Sequence, residues 1–262
     1  MNGTSGPLLA VHSVTRSFGG VQALHGVSLD VGHGEIVGLI GPNGAGKTTL
    51  FNVITGFTAA DDGQCLLDGV RLGALAVHEV VERGIARTFQ NIRLFAQMSA
   101  LENVMVGMHA RSRAGAFGAI LRSPAVRAEE ATIEARAHAL LAQTGVAAFA
   151  NEAAGSLPYG LQRRVEIARA LAAQPRLLAL DEPAAGMNAA ETASLRTLIL
   201  GIRAAGTAVL LIEHDVRLVM GLCDRVAVLD RGRLIAQGVP GTVQRDPAVI
   251  EAYLGSPLQD EA

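Results

Sequence analysis

The sequence predicts an α/β fold: a mainly parallel sheet flanked by helices, with an antiparallel β portion near its start and an inserted helical segment. Three observations predict it. Short apolar runs of the doubly buried kind (Glu35–Ile40, Leu177–Leu180, Thr207–Ile212) alternate with helical stretches at 46–56, 163–173 and 189–205. A glycine-rich loop joins the first run to its helix. Between Asn91 and Gly155 strand-like runs vanish, and Ala, Arg, Glu and Leu dominate.

Taken in order, Leu8–Phe18 and Val21–Val31 read as two strands turned by Gly19-Gly20. Gly32-His33-Gly34 turns the chain again into the strand 35–40. Gln64–Leu67 and Val70–Leu72 flank Asp68-Gly69, a hairpin signal. Leu101–His109 and Ala125–Leu141 read as helices separated by a Gly/Ala/Arg loop at 111–118. Arg225–Leu229 and Arg233–Ala236 form a hairpin around Asp230-Arg231-Gly232, and Pro240 and Pro247 punctuate a short helical tail. The expected organisation is a core of residues 8–90 and 158–262, with a helical segment at 91–157.

Composition narrows the function. Half the residues are apolar and 18% are charged, which excludes wholesale disorder. The formal charge of −2, the absence of Trp and the 3% aromatic content argue against a nucleic-acid partner, which would need a basic field or stacking platforms. Cys65 and Cys223 have no metal-ligand spacing and are too few for a disulfide framework, so a reducing compartment is expected. The N-terminus shows no signal pattern, and no apolar run approaches the length of a membrane span.

Gly41-Pro42-Asn43-Gly44-Ala45-Gly46-Lys47-Thr48-Thr49 fits the phosphate-loop pattern G-x-x-x-x-G-K-[ST], between a strand and a helix. A chance match is expected in roughly one chain per thousand of this composition. The glycines let backbone N–H groups turn toward phosphate oxygens, and the helix start adds the positive end of its dipole. Lys47, the only lysine in the chain, is expected to reach the β- and γ-phosphates, and the Thr48 hydroxyl to ligate Mg²⁺. The strand 177–180 runs into Asp181 and Glu182. Successive strand residues point to opposite faces, so the two acids serve different roles. Asp181 is expected in the magnesium shell, and Glu182 is expected to deprotonate an attacking water. His214 ends the next buried strand, where ligands of parallel sheets gather, and is expected at the γ-phosphate.

These residues resemble the ATP-binding subunits of ABC transporters, over Leu9 to Gly255. The resemblance implies a P-loop NTPase core that binds ATP and Mg²⁺. It implies that Phe18 stacks on adenine, and that Gln90, in Arg87-Thr88-Phe89-Gln90, links the γ-phosphate and metal site to the helical segment. Ser156–Arg164 occupies the place of the signature, with Tyr159 and Gly160 facing a partner's nucleotide, and Ala184–Asn188 that of the D-loop. Pro158 and Leu161 depart from the commonest signature, Leu-Ser-Gly-Gly-Gln. Proline brings neither a hydroxyl nor an N–H, so a weaker half-site and unequal sites are expected.

The Tyr-Gly pair, the run Asp181–Asn188, Ile212-Glu213-His214-Asp215 and the ending Asp246–Gly255 are similar to branched-chain amino-acid import ATPases. That likeness implies transmembrane permease subunits, a second ATP-binding subunit (the same chain or a different one) and, indirectly, a periplasmic solute-binding protein. It implies a peripheral place on the cytoplasmic face of the inner membrane. Urea or short-amide import and lipopolysaccharide export are the nearest alternatives. A non-transport ABC ATPase is disfavoured because heptad arms, zinc modules and a second phosphate loop are missing from the sequence. A sensor without turnover is disfavoured by the presence of Glu182 and His214.

Overall fold

A computed structural model describes residues 6–73, 75–108 and 124–254. Two sheets form the frame. β1 (Leu9–Phe18) and β2 (Val21–Val31) pair antiparallel across the Gly19-Gly20 turn. After β3 (Ile36–Ile40), β4 (Asp62–Leu67) pairs with the free side of β1, and the two-residue β5 (Val70–Arg71) closes a four-stranded antiparallel sheet. The second sheet holds β6 (Ile85–Arg87), β7 (Leu177–Asp181), β8 (Ala208–Ile212), β9 (Arg225–Asp230) and β10 (Arg233–Gly238) in the order β10-β9-β3-β8-β7-β6. Its pairs are parallel except β9–β10.

The helices are α1 (Lys47–Ile54), α2 (Val77–Glu82), α3 (Ala100–Met108), α4 (Pro124–Gln143), α5 (Tyr159–Ala172), α6 (Ala189–Ala204), α7 (Val216–Leu222), α8 (Pro240–Val243) and α9 (Pro247–Leu254). β3, β7 and β8 are buried along their whole length because both faces of the parallel sheet are covered. Their side chains alternate between two cores. Leu177 and Ala179 join Leu39, Leu210 and Phe51 beneath the β1–β2–β4 sheet. Leu178 and Leu180 join Ile36, Leu195, Ile199 and Val219 on the other side. A third core unites α3, α4 and α5 through Val104, Ala137, Leu141 and Val165. Helix α5 belongs to two cores at once, with Ile167 and Leu171 facing the sheet and Val165, Ala168 and Ala172 facing α3 and α4.

Three short elements are absent from the reading of the sequence: α2, β6 and α7. β6 has only three residues, and α2 and α7 have six and seven, too few for periodicity to register. α7 does carry a local signal, the Asp215 carboxylate accepting from Arg217 N and Leu218 N as an N-cap. Helix α5 starts four residues before the expected Arg163, because the Pro158 carbonyl already accepts from Leu161 N and Gln162 N. The expected loop 111–118 lies outside the described residues. Cys65 and Cys223 are free thiols, both buried. No helix among the described residues is long and apolar enough to cross a membrane.

Candidate active site at the phosphate loop

The site lies at the carboxyl ends of the parallel strands, where the loops after β3, β6, β7 and β8 converge. Residues 41–46 leave β3 and enter α1. Gly41 has φ 147°, and a Cβ there would stand 2.0 Å from the Leu229 carbonyl oxygen on β9. Gly46, at φ 99°, would press a Cβ to 2.7 Å from the Ala23 carbonyl oxygen. Both positions demand glycine, by conformation and by space. The loop is buttressed from behind, since Gly232 N donates to Ala45 O (2.9 Å) and His25 N to Gly232 O (2.8 Å). A cleft of ≈ 370 Å³ opens above it, lined by residues 43–49 with Ala23, Gln90, Glu182 and His214.

Lys47 is buried, and its ammonium donates to Gly41 O (2.7 Å) and Pro42 O (2.9 Å) of its own loop. Burial pushes its pKa below the ordinary lysine value, against the opposing pull of Glu182 and Asp181. The charge therefore rests on two carbonyls, at the mouth where a phosphate oxygen would compete for it.

The two acids part as the strand pleat requires. Asp181 ends β7 with its carboxylate buried against the Arg87 guanidinium (Nη2 to Oδ2, 2.8 Å). Arg87 also donates to Asn52 Oδ1 (2.6 Å) and Thr55 Oγ1 (3.1 Å), and lies 5.4, 5.4 and 5.2 Å from the ring centroids of Phe51, Phe57 and Phe89. Glu182 leaves the strand at φ 47°, a conformation that costs a non-glycine residue about 1–2 kcal/mol. Its N–H is held by Ile212 O (2.9 Å). Its carboxylate is gripped on both sides, accepting from Gln90 Nε2 at Oε2 (2.8 Å) and meeting His214 Nε2 at Oε1 (2.6 Å). With the carboxylate ionised, the tautomer protonated on Nε2 completes that bond.

Ten of the expected site residues line this one cleft: Asn43 to Thr49, Gln90, Glu182 and His214. Asp181 borders the adjoining cleft of ≈ 400 Å³, which shares Thr48 and Gln90 with the first. Gly41 and Pro42 lie beneath as acceptors for Lys47. Phe18 stands half exposed at the end of β1, with the Arg16 guanidinium 4.8 Å from its ring centroid, outside the cleft. Tyr159 and Gly160 line neither cleft. They open α5 beside Gly186 and Glu191, where a Cβ on Gly186 would meet the Tyr159 ring at 3.6 Å and one on Gly160 would meet Glu191 Oε1 at 2.9 Å. More voluminous clefts, ≈ 530 and ≈ 690 Å³, lie along the antiparallel sheet, but neither gathers a lysine, a carboxylate pair and a histidine.

Among the described residues no three His, Cys, Asp or Glu side chains group to hold an ion by themselves. The donors here suit magnesium, which takes one or two carboxylates and completes its shell with substrate phosphates. Thr48 and Asp181 border the same cleft.

Two residues that hold the site are missing from the sequence reading. Arg87, quoted only as part of a motif, pairs with an acid 94 residues away. Glu213, buried beside His214, accepts from Ala184 N (2.8 Å) and so ties the segment 184–188 to the end of β8. Burial pushes its carboxyl above the ordinary value, against the N–H groups of Ala184, His214 and Asp215.

The ABC transporter family model matches residues 24–185, and that of the branched-chain amino acid ATP-binding cassette transporter matches residues 233–257. The chain is 45% identical over 253 residues to the high-affinity branched-chain amino acid transport ATP-binding protein BraF of Pseudomonas aeruginosa, covering 96% of this chain and 99% of that one. It is 36% identical over 252 residues to the lipopolysaccharide export system ATP-binding protein LptB of Acidithiobacillus ferridurans, covering 96% and 98%. The crystal structure of a nucleotide-free ATP-binding cassette from an ABC transporter superposes with a TM-score of 0.84 at 32% identity, covering 96% of this chain and all of that one. The chain belongs to the ATP-binding family of ABC transporters.

Proposed function

We propose that this chain hydrolyses Mg²⁺-ATP to drive the import of branched-chain amino acids, as one of two ATP-binding subunits beneath a pair of transmembrane permease subunits. The observation that carries the hydrolytic reading is Glu182, held by Gln90 and His214 at the rim of the phosphate loop. The solute is supported by the 45% identity to BraF, against 36% to LptB, and by the match at 233–257.

In this reading the N–H groups of residues 43–48 surround the terminal phosphates and Lys47 turns from its loop carbonyls to them. Phe18 stacks on the adenine. Thr48, Gln90 and Asp181 would hold Mg²⁺, which when bound neutralises phosphate charge. Arg87 holds the Asp181 carboxylate in place. Glu182 takes the proton of the attacking water, while His214 orients its carboxylate through Nε2 and stands beside the γ-phosphate. Tyr159 and Gly160, which line neither cleft beside their own phosphate loop, serve the nucleotide of the opposite subunit. With Pro158 and Leu161 beside them, that half-site is the weaker of the two. A permease segment docks along the cleft bordered by Phe57, Phe89, Asn91 and Arg93, next to Gln90. The assembly sits on the cytoplasmic face of the membrane and meets a solute-binding protein only through the permease.

The test is ATP turnover in vesicles reconstituted with the membrane subunits. Leucine-loaded binding protein is expected to raise turnover about fivefold or more. Stimulation by a urea-binding protein or by lipopolysaccharide alone would move the solute assignment and leave the ATPase reading standing.

A further inference from the structure

Arg163 and Glu166 are the most completely buried charged pair among the described residues, with side-chain exposures of 0% and 1%. They lie on α5, one and two turns beyond Tyr159. Arg163 Nη1 donates to Glu166 Oε2 (2.7 Å) and to the Phe89 carbonyl, and Nη2 donates to Gln90 O (2.7 Å) and Tyr159 Oη (3.0 Å). Its Nε has no partner, so the forked end makes every bond. Glu166 Oε1 accepts from Phe89 N (3.3 Å) and Arg93 N (3.4 Å). Burial raises the Glu166 carboxyl pKa, opposed by the Arg163 charge and by those two N–H groups.

Packing alone does not call for this pair, since well-packed apolar residues commonly replace buried ion pairs without loss. What the charges add is direction: four of their hydrogen bonds end on the main chain of one segment, residues 89–93. The side chain of that segment's Gln90 reaches Glu182 Oε2. A continuous path thus runs from the Tyr159 hydroxyl, through the Arg163 guanidinium and the main chain of Gln90, to the carboxylate of Glu182.

We infer that Arg163, braced by Glu166, is a positioning residue for hydrolysis: it locks the segment 89–93 to α5, so that the Gln90 amide meets Glu182 only while α5 holds its place. The inference rests on the proposed reading of Glu182 as the base and extends it. Displacement of the α5 start by the opposite subunit's nucleotide then reaches Glu182 without rearranging the sheet. A residue that merely stabilised the helical segment would lower the melting temperature but would act independently of Gln90.

The experiment is a coupling cycle in the full-length chain with Mg²⁺-ATP. Arg163→Met/Glu166→Leu removes both charges at similar volume, leaves no unpaired charge, and frees the main-chain groups of 89, 90 and 93 from α5. Arg163→Lys keeps the charge but not the fork, and replaces the double variant if that one fails to fold. Either is expected to change Mg²⁺-ATP affinity by calorimetry less than about threefold and to lower saturated turnover about tenfold or more, the order of loss a misplaced reacting group produces. On a Gln90→Ala background the same change is expected to cost no more than about twofold, the mark of two residues acting through one step. Full additivity with Gln90→Ala, or parental turnover in the folded variants, overturns the inference. Glu182→Gln, run alongside, separates the two claims: parental turnover there removes the base, whatever Arg163 does.

Discussion

Glu182→Gln is expected to bind Mg²⁺-ATP within about threefold of the parent and to hydrolyse it at least tenfold more slowly, since a positioned general base contributes roughly 10²–10⁴-fold. The substitution is nearly isosteric. The amide oxygen keeps one of the two grips, from His214 Nε2 or from Gln90 Nε2; the new NH2 keeps the other only when Gln90 turns its Oε1, or His214 an unprotonated Nε2, toward it, and the left-handed backbone is undisturbed. What disappears is the ability to take a proton. Phosphate release under saturating nucleotide, beside calorimetric binding, separates the two effects. Turnover near the parental value would remove Glu182 as the base.

Lys47→Ala is expected to weaken Mg²⁺-ATP binding about 10- to 100-fold, because hydrogen bonds to a charged group contribute roughly 1.5–3 kcal/mol. Its ammonium is already desolvated and waits on two carbonyls, so little reorganisation precedes the exchange of those carbonyls for phosphate oxygens. Removing it also takes the ammonium from Gly41 O and leaves Pro42 O with Ala45 N alone, and a lower melting temperature accompanies the loss. Arginine is not a substitute, because its planar fork does not reproduce a compact charge in a loop this tight. Titration calorimetry on the folded variant gives the number, and unchanged affinity would contradict the placement of phosphate at this loop.

Most of this site is legible in the sequence because its parts are local. The phosphate loop is nine consecutive residues, and Asp181-Glu182 and His214 each close a short apolar run, so strand pleat and position point to them once the phosphate loop stands upstream. The grip on Glu182 is a different matter. Gln90 and His214 reach it from 92 and 32 residues away, and only the order β6-β7-β8 brings those strand ends side by side. Arg87 against Asp181, and Arg163 against the main chain of 89–90, are likewise products of tertiary packing. An arginine in a chain whose cations are almost all arginine carries no signal of its own. The short elements α2, β6 and α7 escape for another reason: six, three and seven residues hold too few turns or pleats for a period to show.

The central claim is that main-chain amides of the loop after β3 receive the end of the triphosphate. Hydrogen exchange of the Glu182→Gln variant with and without Mg²⁺-ATP tests it most directly, because exchange reports the amides themselves and hydrolysis is suppressed. Amides 43–48 are expected to slow about tenfold or more on binding, with weaker protection around 89–93. Nucleotide retained by the protein with no protection in that loop would contradict the account.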